Sequence, residues 1–225
     1  MLTKFLNWFK TTSLWVRLAR HTIAHFTFRL FGYPKFPIEK YFDIVDAMTL
    51  DPDALYSFVS ADKSSLAWRL NHFITGAFWG HAGIVLFEGG KPTAWHMKGN
   101  GLNRWHLLDI LKECDNFALV KLPLHGADLT EAKRRLEVLK NAPLVAYDYQ
   151  LELTPDVLDF LQLGAPIEEG AKPLKIYCSE LNYAICYGLI KDPTWKGYWE
   201  PRVKVGMHVF EPDQVYAGGP VVFED

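Results

Sequence analysis

The sequence predicts an α+β domain, an antiparallel sheet set beside a few helices, and three stretches carry that reading. His81 to Phe87 is a β-like apolar run, Glu88-Gly89-Gly90-Lys91-Pro92 is its turn, and Thr93 to Met97 returns as the second arm of a hairpin. Thr130 to Lys140 has helical spacing, with Thr130 as the cap, Leu136 and Leu139 facing inward, and Glu131, Lys133 and Arg134 facing water. A short apolar and aromatic run then enters Cys178, and helical spacing follows it to Ile190. Strands and helices mixed in this way build a sheet with helices packed beside it.

The other elements follow in chain order. Met1 to Leu30 carries Lys4, Lys10, Arg17, Arg20 and Arg29 and no acidic residue, and Phe5, Trp8, Phe9, Trp15, Val16 and Ala19 recur at helical spacing. That is a basic amphipathic helix. It suits a membrane interface, and it equally suits packing on its own domain or on a partner. Gly32-Tyr33-Pro34-Lys35-Phe36-Pro37 is turn-rich, so the chain divides into an appendage, residues 1–34, and a core domain, residues 35–225. Tyr41 to Val45 reads as a short strand, and Asp53 to Thr75 mixes helical spacing with polar punctuation. Trp105 to Cys114 reads as a helix and Phe117 to Leu122 as a strand. The C-terminal stretch, with Pro201, Pro212 and Pro220 and short Val-rich pieces, reads as strand or loop.

Composition narrows the class. The chain of 225 residues is 49% hydrophobic and 22% charged, which is ordinary for a globular protein with a real core. A net charge of -2 gives no case for nucleic acid as a partner. No apolar run is long enough for a signal peptide or a spanning helix, so a cytoplasmic location is expected, with peripheral membrane contact through residues 1–30. Three cysteines without close pairing do not read as a disulfide framework.

Cys178 is the most informative of them. A thiol that opens a helix sits among unpaired N–H groups and the positive end of the helix dipole, and both favour the nucleophilic thiolate. His81, in Phe78-Trp79-Gly80-His81-Ala82-Gly83-Ile84, begins a β-like run almost a hundred residues upstream. The pair reads as a Cys–His hydrolase in which the His precedes the Cys. Cys114 and Cys186 read as small buried hydrophobes. Cys and His are also zinc ligands, but His81, His96 and Cys178 contain no close-spaced ligand pair, so neither a metal nor another cofactor is expected.

Gly80-His81-Ala82-Gly83-Ile84, Ala146-Tyr147-Asp148-Tyr149 and Tyr177-Cys178-Ser179-Glu180-Leu181 occur in that order. Over roughly Tyr41 to Tyr187 the chain resembles the circularly permuted branch of the NlpC-type papain-like cysteine hydrolases. That branch includes YiiX-like bacterial proteins and, more distantly, the lecithin–retinol acyltransferase group. The resemblance implies a permuted papain-like fold with a small antiparallel sheet on the nucleophile helix. It implies Cys178 as nucleophile, His81 as base, and a polar residue from the next strand that orients the imidazole. His96 is the candidate orienter and Glu88 the fallback. Many YiiX-like proteins carry a carboxylate there and the acyltransferase-like ones a His. Tyr147 resembles the Tyr that helps stabilise the oxyanion in NlpC-type enzymes, and Asp148 reads as structural.

The resemblance admits a peptide or lipid substrate in a cleft. Amide cleavage in cell-wall peptide is the usual family role. A lipid ester or amide is the second reading, supported by the basic aromatic N-terminus. A non-catalytic binding module on the same fold is the third.

Overall fold

The structure is a computed structural model, and it describes residues 38–63, 68–69, 72, 76–142, 145–147, 174–204 and 207–225. The amphipathic segment Met1 to Leu30, the break at Gly32 to Pro37, and Asp148 lie outside the described residues.

Six antiparallel strands form the central sheet. They are β1 (Tyr56–Ala61), β2 (His81–Glu88), β3 (Lys91–Lys98), β4 (Gly101–His106), β5 (Asn116–Lys121) and β10 (Val221–Glu224), in the spatial order β10-β5-β1-β2-β3-β4. Two short pairs complete the described strands: parallel β6 (Val145–Tyr147) with β7 (Leu174–Ile176), and antiparallel β8 (Arg202–Lys204) with β9 (Met207–Val209). The helices are α1 (Ile38–Thr49), α2 (Leu107–Lys112), α3 (Gly126–Lys140), α4 (Cys178–Cys186), α5 (Pro193–Lys196) and α6 (Pro212–Ala217), with a 3-10 turn at Gly197–Trp199. The architecture is α+β, as the sequence predicts.

Strand alternation sorts the core into two layers. Val59, Ala61, Ala82, Ile84 and Met97 point to one face, where they pack with Leu136 and Leu139 of α3, Leu181 and Ile185 of α4, and Val215 of α6. Tyr56, Phe58, Val85, Ala94, Phe117 and Leu119 point to the other, against Ile44 and Met48 of α1 and Leu107, Ile110 and Leu111 of α2. With a covered sheet on both sides, β1 is buried along its whole length.

The β2–β3 hairpin turns on Gly89 and Gly90, at φ 58° and 75°. A two-residue hairpin loop of type I′ needs both central residues at positive φ, which glycine adopts without penalty.

Four expectations are corrected. Tyr41 to Val45 is helix, not strand: Tyr41, Ile44, Val45 and Met48 recur at helical spacing, and α1 buries Ile44 and Met48. Trp105 to Cys114 is split, because Trp105 and His106 end β4 and α2 starts only at Leu107, whose helix His106 caps by accepting from the Leu108 N–H at 3.2 Å. Thr130 does not cap α3. The helix begins at Gly126, and the Thr130 hydroxyl donates to the Gly126 carbonyl from inside it. The helix from Cys178 stops at Cys186, and Gly188, at φ 71°, turns the chain before Ile190.

Candidate active site

His81 is the first residue of β2, and His96 lies near the end of β3. Each side chain shares its face of the sheet with Phe58, whose ring centre is 5.7 Å from that of His81 and 6.0 Å from that of His96. The Nε2 of His81 and the Nδ1 of His96 are 2.8 Å apart, a hydrogen bond between two imidazoles. The His81 nitrogen not engaged with His96 is Nδ1.

Neither imidazole is charged near neutral pH. Burial, and then the Lys98 ammonium, push His81 down to about 4. Burial, then His81 and Lys98, push His96 down to about 3. Desolvation penalises an imidazolium, and a cation close by adds to that penalty.

Cys178 is the first residue of α4 and is buried, at 6% exposure. Its setting explains the Cys-Ser-Glu-Leu block. The Glu180 carboxylate reaches back to accept the Tyr177 N–H at 3.3 Å, which closes the helix start. The Ser179 hydroxyl donates to the Phe210 carbonyl at 2.5 Å, and the Phe210 N–H donates to the Tyr177 hydroxyl at 2.9 Å. Leu181 enters the core. One turn on, Asn182 accepts from Ser57 of β1 at 2.7 Å and donates to the Cys178 carbonyl at 3.3 Å. The turn that presents Cys178 is thus tied to the central sheet and to the chain just past β9. None of the three cysteines is in a disulfide.

The helix packs on β2 and β3, the strands that carry the histidines. It lies on the Ile84 face, whereas the imidazoles project from the Phe58 face. At the sheet end where β2 begins, β6 touches the β3–β4 turn so closely that a side chain on Gly101 would run into the Val145 carbonyl. Strand β7 pairs with β6 and feeds Cys178 in through Tyr177. Tyr147 closes β6 opposite Ile176, on the strand beside the one that leads to Cys178.

Glu88 is not placed to orient His81. It ends β2, at the far end of the strand, where it accepts from Trp95 at 3.0 Å, Arg104 at 2.9 Å and Lys140 at 2.6 Å. Sequence reasoning missed Asp213. Its carboxylate accepts the N–H of Phe78 at 3.1 Å and of Trp79 at 2.9 Å, and so fixes the loop that enters His81. No local signal marks it, since the contact spans most of the domain.

No family model matches the chain, and no curated protein matches it either. A solved structure does: the metalloprotein yiiX from Escherichia coli O157:H7, a DUF1105 protein, at a TM-score of 0.52 and 11% identity, over 77% of this chain and 96% of that one. The fold is yiiX-like. The likeness extends to the fold alone. Among the described residues no helix is long and apolar enough to cross a membrane.

Proposed function

We propose that the chain is a thiol hydrolase with Cys178 as nucleophile, His81 as base and His96 as the residue that orients His81. The observation that carries the reading is the 2.8 Å bond between His81 and His96. The reading requires the thiol to reach the imidazole around the end of the sheet, because α4 packs on the face opposite the imidazoles.

The chemistry then runs as follows. His81 Nδ1 takes the thiol proton, and the sulfur attacks a carbonyl carbon to form a C–S bond and a tetrahedral oxyanion. The backbone N–H of Cys178, at the helix start, donates to that oxyanion, with Tyr147 as a further contributor. Collapse breaks the C–N bond, and the leaving amine takes the proton from His81. Water, deprotonated by His81, attacks the thioester and returns the thiol and a carboxylate. With His81 held near 4, the resting imidazole is neutral.

A metal reading fits poorly. The neighbouring yiiX is named a metalloprotein. Here no group of three His, Cys, Asp or Glu side chains among the described residues is arranged to hold an ion, and two imidazole nitrogens are spent on each other.

The proposed substrate is an amide in cell-wall peptide. The basic aromatic segment 1–30 favours a lipid ester or amide as the second reading. Incubating the protein with purified cell wall and, separately, with phospholipid decides between them by which yields products. Products from neither, together with a Cys178 inert toward a thiol-alkylating probe, support a binding module instead.

A further inference from the structure

His96 has one nitrogen to spare. Its residue is wholly buried, Nδ1 faces His81, and among the described residues Nε2 has no hydrogen-bonding partner. A buried polar atom left this way is rare and asks for an explanation. Its surroundings are aromatic. The Trp105 ring centre is 5.0 Å away at an interplanar angle of 75°, and that of Phe58 is 6.0 Å away at 65°. Both are edge-to-face arrangements. Trp105 pairs with Ala94 in the β3–β4 ladder, so it stands on the same face of the sheet as His96, one step along.

A neutral His96 has two tautomers. With the proton on Nδ1, His96 donates to His81, and Nε2 is a lone pair in aromatic surroundings. With the proton on Nε2, Nδ1 accepts from His81, and an N–H stands in those surroundings instead. Aromatic faces carry negative charge density, which attracts an N–H and repels a lone pair. We infer that Trp105 is a positioning residue: its indole receives the His96 Nε2–H, fixes His96 as the Nε2-protonated tautomer, and thereby leaves His81 Nδ1 as an open lone pair.

Lys98 holds the indole in place. Its ammonium sits 3.5 Å from the Trp105 ring centre and pairs with Glu113 at 2.7 Å. The end of β3 therefore presses on the ring from which His96 takes its orientation. The inference rests on the histidine pair and stands whether or not Cys178 reacts. It also gives the proposed mechanism something it needs, because the other tautomer places a proton on His81 Nδ1 and leaves that nitrogen unable to accept one.

Heteronuclear NMR of the full chain with ¹⁵N-labelled histidine, near neutral pH, tests it. His81 and His96 are each expected to show a protonated Nε2 and an unprotonated Nδ1. The His96 Nε2–H resonance is expected upfield, shifted by the indole ring current. A protonated Nδ1 on His96, or an Nε2–H without that shift, overturns the inference. Trp105→Phe, which keeps an aromatic face, is expected to keep the tautomer. Trp105→Leu is expected to give mixed tautomers in a protein whose circular dichroism is unchanged. A folded Trp105→Leu with the parent pattern removes Trp105 from the role. Should Trp105→Leu not fold, the parent spectrum and its ring-current shift decide alone.

Discussion

A Cβ on Gly83 would stand 2.8 Å from the Cβ of His96. The same atom would lie 2.7 Å from the Trp95 carbonyl and 2.5 Å from the Phe58 ring. The missing side chain is what lets the His96 ring settle against the sheet within reach of His81. Gly83→Ala meets backbone as well as side chain, so the strand itself has to shift. We expect a loss of about 1–3 kcal/mol in urea unfolding, together with weakening of the imidazole pair. Full stability in that variant, with the imidazole NMR pattern unchanged, would show the contact to be soft.

Stability is expected to depend on pH through the same pair. Unfolded histidines titrate at the ordinary 6.5, whereas the folded ones sit at about 4 and about 3. Between those values the unfolded chain binds more protons. Stability is therefore complete above pH 6.5 and falls as the solution is acidified toward about 4, by up to about 1.4 kcal/mol per pH unit for each histidine. Urea midpoints measured across that range check the slope, and His96→Gln is expected to reduce it by one proton. A flat profile would mean that the imidazoles are solvated.

Much of this site is legible in the sequence, because its cues are local. Gly89-Gly90 between two apolar arms defines the hairpin, and the hairpin brings His81 and His96 to one face. A short apolar run before Cys178 marks the helix start. The misread parts lack such cues. Tyr41 to Val45 is too short for its period to separate helix from strand without Met48 in view. Strand β1 is buried on both faces, so its alternation carries little polarity and it merges into the Asp53 to Thr75 stretch. Trp105 continues a strand that reads like the helix after it. The ties that hold the site, Ser57 to Asn182 and Asp213 to Trp79, join residues far apart in the chain, and composition does not encode them.

Thiol labelling is expected to single out Cys178. Cys186 is fully buried, and that burial pushes its thiol far up. Cys114 is buried as well, at 2% exposure. Under native conditions an alkylating probe should modify Cys178 first, read by peptide mass spectrometry. Cys178→Ala is expected to fold normally and to lose hydrolysis by roughly a thousand-fold or more. Equal labelling of all three thiols would count against a special site.

Arg135 of α3 governs the other end of α4. Its Nη1 donates to the carbonyls of Ala184 at 3.3 Å, Ile185 at 3.4 Å and Tyr187 at 2.8 Å, and its Nε donates to Glu131 at 2.9 Å. These are helix-end carbonyls that have no partner within the helix. Arg135→Met is expected to lower stability by about 1–3 kcal/mol, with Arg135→Lys recovering part of it. Chemical denaturation of the pair of variants provides the comparison; equal losses would assign the effect to the guanidinium fork rather than to charge.

The amphipathic segment makes a separate prediction. A chain starting at Tyr33 is expected to stay soluble and keep Cys178 reactive, while losing co-sedimentation with anionic vesicles. Basic residues near such a surface contribute about 1 kcal/mol each, so the aromatics must assist them. An unfolded truncation would instead make the segment part of the core and remove the main support for a lipid substrate.

Asp213 and β10 also set a timetable for synthesis. A ribosome delivers the hairpin, and then the helix that starts at Cys178, well before the residues that brace the loop entering His81. Until Val221 to Glu224 emerge, β5 has β1 on one side and an open row of N–H and C=O groups on the other. Such an edge invites pairing with other nascent chains. A premature stop between Cys186 and Pro220 would therefore yield, in the cell, not a weaker version of this protein but a sticky one.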